Sequence, residues 1–242
     1  MTIEMSLMSL ILVALLVAAL VVASLAWRKR EVDRRRTAME GSAAALGLEP
    51  VDATDPDLNE RFARLQRECI YLPKIALAWK REEADGRIYL LELWIEEENT
   101  PRRIVGGHVL VVSPRLAMPR FGILATFDLP GIIPGLVRQF QGYVADRVGR
   151  VPVENHPEFN SRYTVVGEDP AAIRQFLTES RLRELARLKH RRLEAGGDMF
   201  SYSRPETGSP GDPALDDRFG ELLDEARLLC RIFQAEAAGQ AS

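Results

Sequence analysis

From Met5 to Trp27 the chain runs for 23 residues without a charge, and only Ser6, Ser9 and Ser24 are polar within that run. At about 1.5 Å per residue, Leu7 to Trp27 make a helix of roughly 30 Å, the thickness of a bilayer's hydrocarbon core. Trp27 closes the run where an amphipathic ring sits at headgroup level. The pattern predicts one membrane-spanning helix over 7–27, preceded by a short extracytoplasmic segment over 1–6. A cleaved signal peptide is the rival, because Ser24-Leu25-Ala26 resembles a small-residue cleavage site. Against it, the leader carries Glu4 and no Lys or Arg, and the apolar run exceeds the roughly 7–15 residues of a signal sequence.

Beyond the span the pattern changes. Good helix formers from Arg34 to Leu46, with Gly47 placed to end them and Pro50 just after, predict a short stalk within a collar and stalk over 28–55. Asp55-Pro56-Asp57 can cap a helix to about Glu68 with Leu58, Phe62, Leu65 and Cys69 on one face. Lys74 to Arg81 and Arg87 to Glu97 flank Glu83-Ala84-Asp85-Gly86 and predict a hairpin. Ile104 to Val112 and Phe121 to Phe127 follow as strands separated by Pro114 and Pro119, completing a meander of about four antiparallel strands. Leu136, Val137, Phe140, Tyr143, Val144 and Val148 predict a helix over 134–148, and the alternation from Phe159 to Val166 predicts another strand. Asp169-Pro170 opens a helix to Leu177, Thr178 or Ser180 caps a second, and 191–195 and 198–203 around Gly196-Gly197 read as a closing hairpin, with extension of the helix through 191–195 as the alternative. The expected fold is an α+β domain over 56–203, an antiparallel sheet with helices packed on one face.

Residues 204–213 hold three Pro and two Gly and read as a linker. A C-terminal amphipathic helix over 214–238 follows, with Leu215, Phe219, Leu222, Ala226, Leu229 and Phe233 in a heptad-like stripe. That stripe docks on its own domain or pairs with a partner helix; as a candidate partner contact it is the best in the chain.

Charge alters the picture more than composition does. The net charge of −3 divides into −1 before the span, +4 over residues 28–36 and −6 after them. The collar Arg28, Lys29, Arg30, Arg34, Arg35 and Arg36 places its side in the cytoplasm, giving an inner-membrane protein with its N-terminus outside. The same residues are candidate contacts for anionic lipid headgroups. The acidic remainder argues against nucleic acid as a partner. Cys69 and Cys230 stand apart from any metal-ligand spacing, as suits a reducing compartment.

No motif specifies a chemistry. His108, His156 and His190 are far apart, and phosphate-binding and nucleophile-elbow patterns are absent, so no metal, cofactor or catalytic residue is assigned. Gly106-Gly107 before an apolar stretch reads as a strand kink. His156 and Glu158 form the best acid/base candidate, though two groups so close in a loop are usually solvated turn residues.

The stretch Glu158-Phe159-Asn160-Ser161-Arg162-Tyr163 through Gly167-Glu168-Asp169-Pro170, with Ile173, Phe176-Leu177-Thr178 and Leu182, resembles a pattern of bacterial single-span membrane-anchored proteins. It covers residues 154–203. The resemblance implies a strand, an Asp-capped helix and a hairpin, and carries over no catalytic residues. The functional expectation is a membrane-anchored cytoplasmic binding or scaffold protein. The alternatives are a lipid or small-amphiphile pocket at the membrane and an enzyme centred on His156.

Overall fold

The computed structural model describes residues 16, 20, 22–24, 26–27, 30, 33, 36–37, 39–66, 73–95, 103–125, 149–188, 192–203 and 215–234. The expected helix over 134–148, the linker over 204–213, Cys69 and most of the 7–27 span lie outside these residues. Among the described residues no helix is long and apolar enough to cross a membrane. The described positions from Leu16 to Ala45 are all helical.

Nine strands form one sheet: β1 (Glu49–Val51), β2 (Lys74–Glu83), β3 (Gly86–Ile95), β4 (Arg103–Val112), β5 (Met118–Ala125), β6 (Arg150–Val151), β7 (Tyr163–Gly167), β8 (Arg192–Gly197) and β9 (Met199–Ser203). Their order is β1-β2-β3-β4-β9-β8-β5-β7-β6, antiparallel throughout. The β2–β3 hairpin forms as expected, with Ala84-Asp85 as its two-residue turn and Gly86, at φ +149°, as the first residue of β3 paired with Glu83. The simple four-strand meander needs correction, because the β8–β9 hairpin inserts between β4 and β5. Pro119 lies inside β5, where the register skips between Met118 and Phe121; a bulge accommodates the residue that has no N–H to give the ladder.

The helices are α1 (Pro56–Leu65), α2 (Pro157–Arg162), α3 (Pro170–Phe176), α4 (Glu179–Arg187) and α5 (Leu215–Gln234). The Asp55 carboxylate accepts from the Asp57 and Leu58 amides, Asp169 from Ala171 and Ala172, and Thr178 from Arg181, so three caps act as their residue types predict. Residues 157–162 correct the expected strand from Phe159. Pro157 starts a helical turn, Glu158 and Arg162 approach to 3.5 Å, and Phe159 stacks on Tyr163 at 5.3 Å. Contacts four residues apart outweigh an alternation that both periods satisfy.

Helices cover both faces of the sheet, not one. On the first face, Trp79, Ile88, Leu90, Val109, Phe200 and Tyr202 pack against residues of 39–48 and of α2 to α5. On the second, Tyr89, Leu91, Leu93, Leu110 and Met199 pack against Leu58, Phe62 and Leu65 of α1. Both sides of β3 are therefore buried, which explains its nearly unbroken apolar sequence. The stalk is part of this body: Met39, Ala43 and Leu48 are buried in the first core. Its helix ends in a Schellman turn, with Leu48 N–H donating to the Ala43 carbonyl (2.9 Å), Gly47 N–H to Ala44 (3.0 Å), and Gly47 at φ +69°.

Candidate functional site

The C-terminal stripe belongs to the chain's own core. Phe219, Leu222, Ala226, Leu229 and Phe233 are buried against the sheet, while the side chain of Leu215 lies outside the described set. Of the two readings of the stripe, docking on its own domain is the one that these buried positions show. The approach depends on Gly107: a Cβ there would lie 2.6 Å from Phe219 Cε1. The kink expected at Gly106-Gly107 is a register shift, with Leu93 opposite Gly106 and Trp94 opposite Ile104.

Two cavities flank the tip of the β2–β3 hairpin. One, of about 350 Å³, lies between the tip and α5, with Ile88, Val111 and Cys230 as apolar lining and Ser113, Arg231 and Gln234 as polar lining. The other, of about 570 Å³, lies on the α1 side beside Arg61, Arg87, Tyr89, Arg115 and Asp198. Their charges mostly neutralise one another. Arg227 is 3.2 Å from Glu83 and 2.7 Å from Asp224, Arg115 is 2.8 Å from Asp85, and Arg87 is 2.9 Å from Glu82. Arg61 bridges Asp57 (2.9 Å) and Asp198 (3.8 Å), and the Asp57 hydrogen bond pushes its pKa up. Gln234 Nε2 donates to Ser113 Oγ at 3.2 Å.

Cys230 lines the smaller cavity together with Ser113. Burial, then the negative charges of Asp85 and Glu83, push its thiol pKa up. It stays protonated at neutral pH and is a poor nucleophile there. His156 precedes α2 without a side-chain cap bond, and Glu158 is exposed on the first turn. Neither lines the two cavities. His108 is buried in β4 opposite Ser203, and Ser203 lies opposite Arg192. This polar row had no motif to announce it. Among the described residues no group of three His, Cys, Asp or Glu is placed to hold a metal. Of the collar, Arg30 and Arg36 are described; both are exposed, and Arg36 pairs with Glu40 at 2.8 Å. Arg28, Lys29, Arg34 and Arg35 lie outside the described residues.

Sequence reasoning missed the ion pairs that join elements. The Glu83 carboxylate accepts from Arg81 in its own strand and from Arg227 in α5. Arg181, only 6% exposed, donates to the carbonyls of Phe176 (2.7 Å) and Phe233 (2.9 Å) and lies 4.1 Å from the Phe176 ring. Arg227 and Glu83 are 144 residues apart, and no local pattern reports such a pair.

No family model and no curated protein matches the chain. Among solved structures, the crystal structure of the mycobacterial trehalose monomycolate transport factor A, TtfA, is similar with a TM-score of 0.45 at 11% identity, over 83% of this chain and 94% of that chain. At that score the two overlap too loosely to assign a shared fold.

Proposed function

We propose that this is a single-pass membrane protein whose α+β domain lies on the cytoplasmic side and acts by binding, as a scaffold or accessory protein. The observation that carries the reading is the exposed apolar helix before the domain. Leu16, Leu20, Val22 and Trp27 are helical and 62–74% exposed, within an uncharged run that ends at a basic collar. Exposed apolar residues on consecutive turns call for a nonaqueous neighbour, and a run this long fits a bilayer. The collar supports the orientation.

The test is membrane fractionation of the tagged full chain with a protease-protection assay. The protein should resist carbonate extraction, and a C-terminal tag should be cut only in inverted vesicles. Recovery of the full chain in the soluble fraction overturns the anchor, and cleavage in intact spheroplasts overturns the orientation. A second reading, a small-amphiphile site, rests on the 350 Å³ cavity with apolar lining, a volume within the range of ligand pockets. Native mass spectrometry of the purified protein distinguishes it: a bound amphiphile at one-to-one stoichiometry favours it, and bare protein counts against it.

A further inference from the structure

The end of helix 39–45, the tip of the β2–β3 hairpin and α5 meet at one carboxylate. Arg81 Nη1 donates to the Leu46 carbonyl at 2.7 Å, and Arg81 Nε donates to Glu83 Oε1 at 2.9 Å. From the other side, Arg227 Nε and Nη2 reach the same oxygen at 3.3 and 3.2 Å. The three side chains are 28–34% exposed, so water screens them only in part. The C-terminal helix also runs close to the end of helix 39–45: a Cβ added at Gly220 would lie 3.8 Å from Leu46 Cδ2. Arg81 thus occupies a free carbonyl at the C-terminus of the membrane-proximal helix, where a cation is favoured by the helix dipole.

We propose that Glu83 couples the seating of helix 39–45 to the seating of α5, so that the two helices loosen or tighten on the sheet together. The carboxylate orients Arg81 toward Leu46 and Arg227 toward the sheet, and removing either arginine leaves the other with an altered partner. Coupling of this kind is reciprocal. The inference rests on the anchored reading only for what it transmits, namely a displacement of the anchor-side helix to the C-terminal helix.

Amide hydrogen exchange on the full chain in nanodiscs tests it. Arg227→Gln should speed exchange in residues 39–47, which Arg227 does not contact through any hydrogen bond or ion pair described above, by about fivefold. Arg81→Gln should do the same across residues 222–234. Peptides from α3 should exchange as in the wild type in both. Effects confined to the mutated element overturn the coupling. Loss of protection throughout the domain in both Arg227→Gln and the milder Arg227→Lys also overturns it, because the junction would then hold the fold rather than relay between two helices. Membrane attachment is read separately by fractionation, so failure of the anchor and failure of the coupling are distinct results.

Discussion

Gly107 and Gly41 make opposite predictions from one kind of observation. A Cβ at Gly107 meets the Phe219 ring at 2.6 Å, whereas a Cβ at Gly41 meets nothing within 4 Å. Gly107→Ala should therefore destabilise the domain by about 1–3 kcal/mol through overpacking. Gly41→Ala, at an exposed helical position, should stabilise it by about 0.5–1 kcal/mol. Urea denaturation followed by circular dichroism measures both. Cys230 gives a pH prediction. Its thiol pKa is raised in the fold above the ordinary value of 9.0, so the folded state holds its proton longer than the unfolded chain does. The resulting stability is present below the unfolded pKa and is lost as pH rises through the folded one. Iodoacetamide at mildly alkaline pH should accordingly modify the denatured chain at Cys230 faster than the native chain; equal rates would contradict the burial. These residue-scale effects were only partly legible beforehand. The glycine pair signalled a strand irregularity, but which side chain approaches Gly107 depends on α5 returning across the sheet.

At the scale of elements, capping residues were the most reliable signs. Asp55, Asp169 and Thr178 each precede a helix and each accepts backbone N–H groups. Alternation was less reliable where the residues also suited a helix, as Phe159 to Arg162 show. The shortest strands, β1 and β6, gave no sequence signal because two or three residues carry no period. The stripe of α5 was legible as amphipathic but not as to what covers it. With Leu229 fully buried and Phe233 against Phe200 and Phe176 at 5.5 Å, α5 is part of the core. Truncation after Ser203 should yield aggregated or unfolded protein in size-exclusion chromatography, and Phe233→Ala should cost about 3–5 kcal/mol. A folded, monodisperse truncation would show the helix to be dispensable.

At the scale of the molecule, the α+β class was readable from the order of elements, and the strand order was not. A sequence shows which strands are close along the chain; it does not show that β8 and β9 lie between β4 and β5. The candidate site suffered more, since its charges come from β2, β3 and α5 and meet only in the fold. Removing residues 1–27 should release a soluble domain with the secondary structure of the parent, because the described core begins at Met39; insolubility of that fragment would argue that the first helix also supports the fold. The interior position of the last hairpin has a consequence for biosynthesis. β4 ends at Val112 and its second neighbour ends at Ser203, about 90 residues later, or roughly 5–20 s of translation. Throughout that interval an apolar strand edge stays open on a nascent chain, a template for pairing with another copy until the late hairpin arrives.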